Sequence, residues 1–363
     1  MTEHEAFVAF NMLPDVGAVK VASLAQKHGG VVAAWEALPD KSDWQGKLVD
    51  WKAEILRARR QHVTIVTCED RRYPATLNDL PSKPLALYVA GNPDVLSLPG
   101  VAVVGTRLPT LYGSDMAERF AAGIVKGGFS VISGLATGID GEAHKGALGA
   151  GGVTIGVLGG ALDMFFPEEN RELGRRIVAA GGAVISEYPF GFPPGKKTFP
   201  QRNRIVAALA RGVLAVEAPA QSGTLITCAF AKKLGCRVMA VPANLDSKNS
   251  FGCWSLIREG ALMVTSGEDV VAAVSDGSRP CGAAKAEVPA RRAESRTSGG
   301  TQSLTLEEAA LLRALPSTGI TLDRLAHAAK LPASVVSAAA ISLRLKKKVR
   351  FLPGNRLAPA KSN

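Results

Sequence analysis

The chain is predicted to be an α/β protein. A mostly parallel sheet forms the core, a small helical domain precedes it, and a winged helix closes the chain. Three observations lead there. Short apolar, β-branched runs recur about every 25–30 residues with helical stretches between them, the signature of βαβ units. Residues 1–62 carry helical patterning and none of these runs. A polar, aperiodic stretch at 276–303 separates the core from three short helices and a hairpin.

In the N-terminal segment, Leu13-Pro-Asp-Val-Gly-Ala-Val19 reads as the turn of a SAM-like or helix-hairpin-helix module. A Gly-rich turn of that kind can bind a phosphate through its N–H groups. Here Asp15 occupies a position where glycine is usual, and its charge opposes that use. From Val63 to about residue 275 the strand pattern holds. The runs lie at 101–104, 131–132, 153–158, 183–185, 213–216 and 238–241, with helices such as 114–126 and 169–180 between them. Continuous rather than alternating apolar residues imply strands covered on both faces. The runs stop at Gly105, Ser133, Gly159, Ser186, Glu217 and Pro242. In an open parallel sheet such strand ends border the ligand crevice, so these stops are expected along one groove.

Beyond the linker, helices at 304–315, 322–329 and 333–345 precede strands at 349–352 and 356–358 around the turn Pro353-Gly354-Asn355. The stretch after Ile341 holds Arg344, Lys346, Lys347, Lys348, Arg350, Arg356 and Lys361 and no acid. The would-be recognition helix offers Ser334, Ser337 and Ser342 among Ala and Val, a poor surface for reading bases.

With 363 residues and a net charge of +11, the chain is sized for several domains and suited to an acidic partner, nucleic acid above all. Neither a signal peptide nor a membrane span is expected. The cysteines Cys68, Cys228, Cys236, Cys253 and Cys281 are scattered without a CxxC pair; they read as reduced cytosolic thiols, and no metal site is expected.

Four segments carry candidate chemistry. Lys196-Lys-Thr-Phe-Pro-Gln-Arg-Asn-Arg204 groups Lys196, Lys197, Arg202 and Arg204 around Phe199. Cations neutralise phosphates and an exposed aromatic stacks on an unpaired base, so the segment reads as a loop that binds single-stranded nucleic acid. The alternative is a solvated charged loop whose Phe packs into the core. Gly105, Thr106 and Arg107 end the strand at 101–104 and open a helix, offering N–H groups and a fixed cation. Neither GxGxxG nor GxxxxGK[ST] is present there, so dinucleotide and P-loop readings are weak. Ser133 and Gly134 begin a second Gly-rich turn, followed by Asp140 and His144, whose spacing suggests an acid–base pair or simple capping. Ser222, Gly223 and Thr224 offer donors at a helix start.

These segments, in this order, resemble the DNA-processing protein A (DprA/Smf) family. The matching words are VAVVGTRLPTLYG, ISGLATGIDGEAH, GALDMFFPEENREL, ISEYP, FPQRNRIVAALA, VEAPAQSGTLITCAFAKKLG and SFGCWSLIREGA. The resemblance implies an extended Rossmann-like core that dimerises in the cytoplasm, needs no cofactor and has no catalytic residues. It implies a protein that binds single-stranded DNA and loads the RecA recombinase onto it, as in natural transformation. It also assigns DNA contacts to Arg107, Lys196 and the base-stacking Phe199, with Arg202, Asn203 and Arg204 in the RNR word. The chain departs from the family pattern at Glu168, Ala208, Ala210, Ala243, Trp254, Arg344 and Lys347. The rival reading is a nucleotide-processing Rossmann enzyme of the phosphoribohydrolase type. Its catalytic Glu would fall at Thr227, which lacks a carboxylate. A duplex-binding regulator acting through the winged helix is the third reading.

Overall fold

The computed structural model describes residues 1–275 and, beyond them, 306–316, 320–329, 331–332, 335–336, 339–340, 343, 348–352 and 356–359. It divides into two compact units, Met1–Ala286 and Glu287–Asn363.

The first unit opens with four helices: α1 Glu3–Asn11, α2 Ala18–His28, α3 Val31–Glu36 and α4 Trp51–Arg60. Thr2 and Glu5 form a reciprocal capping box at the start of α1. Phe10, Val21, Val31 and Trp35 build a small core among these helices. Polar contacts tie the helices to the sheet domain. Glu54 accepts from Phe190 N at 2.8 Å, and Arg57 pairs with Asp163 at 2.7 Å.

Nine strands form one sheet: β1 Val63–Thr67, β2 Ala86–Gly91, β3 Gly100–Val104, β4 Ser130–Ser133, β5 Thr154–Val157, β6 Ala183–Ser186, β7 Gly212–Ala215, β8 Arg237–Ala240 and β9 Leu262–Met263. Their spatial order is β1-β2-β6-β5-β4-β3-β7-β8-β9. The seven strands from β6 to β9 run parallel, and β1 and β2 add an antiparallel edge. Helices α5 Leu111–Lys126, α6 Ile139–Gly149, α7 Arg171–Ala179, α8 Thr198–Leu209, α9 Gly223–Lys233, α10 Phe251–Arg258 and α11 Gly267–Ser275 follow the strands. Two apolar layers cover the faces: Ile132, Ile155, Ile185 and Ile205 belong to one, Val101, Phe120, Ile124 and Val216 to the other. This double burial is why the strands are continuously apolar.

The chain lays down β3, proceeds through β4 and β5 to β6, and returns to β7 on the other side of β3. The connections leaving β3 and β7 therefore diverge. A crevice opens where they part, at the carboxyl ends of the strands.

Cys68, Cys228 and Cys253 are free thiols. Among the described residues no helix is long and apolar enough to cross a membrane.

In the second unit, α12 Leu306–Ala314 and α13 Leu322–Ala329 accompany an antiparallel sheet of β10 Ile320–Thr321, β11 Val349–Leu352 and β12 Arg356–Pro359, in the order β10-β12-β11. Leu311, Leu325, Val336, Leu343 and Leu357 form its core. The expected linker at 276–303, the turn at 353–355, the serines 334, 337 and 342, and the cations Arg344, Lys346, Lys347 and Lys361 lie outside the described residues.

Candidate nucleic-acid interface

The crevice between the β3 and β7 connections is a groove of about 480 Å³. Each wall is set by a local reason in the sequence. After β3, the missing side chain of Gly105 lets the turn lie against Ile139 of α6, where a Cβ would collide. Thr106 N donates to Glu217 O at 2.8 Å, which ties the turn to the end of β7. The Glu217 carboxylate, itself buried, accepts from Thr110 N at 2.9 Å and from Thr110 Oγ1 at 2.6 Å. The turn is thus held at both ends, and Arg107 projects into solvent between them.

The segment expected as a basic loop is mostly helix. Thr198 opens α8, and Pro200 sits in its first turn, where a missing N–H costs nothing. Phe199, Arg202 and Asn203 then share one helix face and line the groove, while Lys196 lines it from just before the helix. Arg204 falls on another face. It pairs with Glu187 at 2.5 Å and is absent from the groove lining.

Arg202 is 4% exposed, and its Nη1 donates to Val157 O. Gly134 packs on this guanidinium so closely that a Cβ would overlap it. Gly134 N donates to Asp140 Oδ2 at 3.1 Å. Burial raises the Asp140 pKa above the usual carboxylate range, and Arg202 opposes that rise. Burial also lowers the Arg202 pKa, with Asp140 holding it up. Arg202 and Asp140 thus influence each other electrostatically on the groove floor without forming a direct ion pair.

Ser133 is fully buried and donates through Oγ to Val103 O at 2.6 Å. It stitches β4 to β3 and lies behind the groove-lining residues, next to Asp140. Across the crevice, Ser222 occupies the N-cap position of α9 without a side-chain cap bond, and Gly223 and Thr224 begin its first turn. Asn203 Nδ2 donates to Gly223 O at 3.2 Å, locking α8 to that turn. The Ser222 hydroxyl is buried without a hydrogen-bond partner. Gly105, Thr106, Arg107, Gly134, Lys196, Phe199, Arg202, Asn203, Ser222, Gly223 and Thr224 thus meet in one groove; Ser133 and Arg204 do not.

Phe199 is half-buried, with the Arg107 guanidinium 5.0 Å above its ring. Phe166 lies 5.8 Å away, tilted by 43°. Phe166 and Glu169 border a recess beside the groove and were not expected at the site; an FFP word gives no sign that one ring stays 49% exposed.

Asp140 and His144 do not act as a pair. The Thr154 hydroxyl donates to Val131 O at 2.8 Å, so it receives its bond from His144 Nδ1 at 2.7 Å. Burial pushes the His144 pKa down to about 3, which keeps the ring neutral. Thr227 spends its hydroxyl on Gly223 O, 3.2 Å away.

Residues 64–275 match the family described as DNA recombination-mediator protein A, and residues 295–355 match the DprA winged helix domain. Protein Smf of Synechocystis is 36% identical over 75% of this chain and 73% of its own. DNA processing protein DprA of Streptococcus pneumoniae is 44% identical over 56% of this chain and 71% of its own. A crystal structure of the S. pneumoniae protein superposes with a TM-score of 0.63 at 35% identity, covering 75% of this chain and 98% of that one. A DNA processing protein A structure from Helicobacter pylori, described for its single-stranded DNA binding mode, gives 0.53 at 29% identity, covering 60% and 98%. The match to the family's defining domain spans more than half the chain and its winged helix follows in order, so this chain belongs to the DNA recombination-mediator protein A (DprA/Smf) family.

Proposed function

We propose that this chain binds single-stranded DNA in the groove between the β3 and β7 connections and delivers RecA recombinase to it. The observation that carries this is the convergence on one groove of Arg107 and Lys196, the α9 turn of Ser222–Thr224, and the half-buried Phe199. Cations and turn N–H groups suit a phosphate backbone, and a ring suits an unpaired base. A duplex hides its base faces and gains nothing from Phe199. The relatives support the same reading, since the H. pylori protein is described by its single-stranded DNA binding mode. Within this reading the protein works in the cytoplasm as a homodimer without a cofactor, and 276–303 joins the sheet domain to the winged helix.

The enzyme reading lacks its chemistry: Thr227 stands where a carboxylate is needed, and Asp140 and His144 face different partners. Binding to single- and double-stranded oligonucleotides of equal length, measured across a salt series, tests the DNA reading. Tighter single-strand binding that weakens steeply with salt is expected. Equal affinity for the duplex, or no salt dependence, overturns it. RecA delivery is tested by the rate of RecA filament growth on single strands with and without this protein; an unchanged rate overturns that part.

A further inference from the structure

Beside the main groove lies a recess of about 180 Å³. It shares Arg107, Phe199 and Arg202 with the groove and adds Thr137, Phe166, Pro167 and Glu169. This volume is well below that of a pocket for a whole small-molecule ligand, roughly 300–1,000 Å³, and suits one heterocyclic ring. Its walls fit a ring as well. Phe166 and Phe199 stand 5.8 Å apart between centroids and are tilted by 43°, so they form two adjoining walls and leave no slot between them. Gly159 also lines the recess and lies against Phe199, where a Cβ would press on the ring.

Glu169 decides what the recess can take. Neighbouring Glu168 is paired with Arg171 at 2.6 Å, whereas Glu169 is exposed and makes no ion pair among the described residues. A carboxylate repels a phosphate, so the backbone track cannot favour this side of the groove. A carboxylate is also an acceptor only, and it seeks two adjacent donors. Among the unpaired bases, guanine alone presents two neighbouring N–H donors on its Watson–Crick edge, at N1 and N2. Cytosine and adenine present one amino group beside an acceptor nitrogen, and thymine presents one N–H between two carbonyls.

We propose that this recess holds one base unstacked from the bound strand and that Glu169, accepting from N1–H and N2–H, makes guanine its preferred occupant. The inference rests on the single-strand reading above. It adds to that reading a subsite with a preference, on a track that is otherwise indifferent to sequence. Phosphates run along the Arg107, Lys196 and Ser222 side, and one base turns back towards Phe166 and Glu169.

The test uses the full chain and 20-mer oligonucleotides of dT, of dT with one central dG, and of dT with one central dA or inosine, by fluorescence anisotropy. The dG strand is expected to bind roughly fivefold or more tighter than the dT strand, the low end of what a bidentate base contact supplies. Inosine, which lacks the N2 amino group, should lose most of that gain, and dA should gain less than dG. Glu169→Gln removes a charge that repels phosphate from either strand, so its readout is the dG-to-dT affinity ratio, which should fall towards one. Phe166→Ala should lower the affinity of the dG strand more than that of the dT strand. Equal binding of the dG and dT strands by the unaltered protein overturns the recess as a base site. A purine gain shared by dA and untouched by Glu169→Gln overturns the role of Glu169. Failure to bind dT at all overturns the single-strand reading itself, and so is distinct from both.

Discussion

At the rim of the groove Arg107 stands in solvent on a turn fixed by Glu217, and on the floor Arg202 lies 4% exposed against Gly134. Both are arginines in conspicuous words of the sequence, GTR and RNR. An exposed cation keeps its hydration and loses little when it meets a phosphate. A buried guanidinium has already surrendered its water and is committed to Val157 O and the Asp140 charge. The rim can therefore act on a ligand, while the floor shapes the groove and supplies a fixed field. Substitutions on the floor should therefore act on stability and those on the rim on affinity.

The largest effect belongs to the floor. Arg202→Ala removes the charge that compensates buried Asp140 and leaves Val157 O without its donor. Leaving a buried carbonyl without its donor costs about 1–3 kcal/mol, and the lost field of Arg202 on Asp140 adds to it. Chemical denaturation should show that loss. A variant with unaltered stability and weakened DNA binding would move Arg202 from the floor to the rim.

The core beneath the floor should also respond to acid. Folded His144 has its pKa pushed down to about 3 by burial, against about 6.5 unfolded. Between those values the unfolded chain binds more protons, so stability falls as pH drops below 6.5. The slope from this residue is about 1.4 kcal/mol per pH unit. His4, half-buried and also lowered by burial, adds to the same trend. Urea unfolding at pH 7, 6 and 5 should show the decline, and His144→Gln should flatten it. An equally steep decline in the variant would show that His144 contributes nothing to it.

Phe199 lies between rim and floor. Gly159 packs against the ring and the Arg107 guanidinium lies over it, so the ring is neither free nor core. Phe199→Ala should weaken single-strand binding by about 1–3 kcal/mol, with the salt slope nearly unchanged because no charge is lost. Phe199→Trp should keep most of the affinity. A loss of fold stability on the scale of a buried Phe, about 3–5 kcal/mol, with affinity intact would place Phe199 on the floor.

The division between rim and floor was only partly legible in the sequence. The parallel strands were, because strands buried on both faces read as unbroken apolar runs, and their stops located the crevice. The edges were harder: β9 is two residues long, and β2 pairs antiparallel between β1 and β6. In 196–204 the lysine pair and Pro200 suggested a loop. Helical spacing alone separates Phe199, Arg202 and Asn203 from Arg204. No local pattern could show that Arg202 is buried, since its neighbours Gly134 and Asp140 come from another βα connection. For the same reason the sequence leaves Ser133 open: a serine at a strand end can face a ligand or bond to the neighbouring strand, as Ser133 does to Val103 O.

The smallest expected effect is the most direct test of the rim. Arg107 is exposed and its turn is held by backbone and by Glu217, so Arg107→Ala should leave the melting curve in place. The cation–π contact with Phe199 is exposed and worth about 0.5–1 kcal/mol. In the unbound protein this contact covers the face on which a base would stack, so Arg107 must swing towards a phosphate as the base arrives. Removing it has two opposed consequences: one phosphate contact is lost, and the Phe199 face is uncovered. Net weakening should therefore be modest at physiological salt and larger at low salt, where the lost charge counts most. The salt slope should fall by about 0.7, the share of one phosphate on a single strand. Arg107→Lys, which keeps the charge, should preserve the slope. An unchanged slope in Arg107→Ala would mean that the cation meets no phosphate, and the rim would then belong to Lys196 and the α9 turn alone.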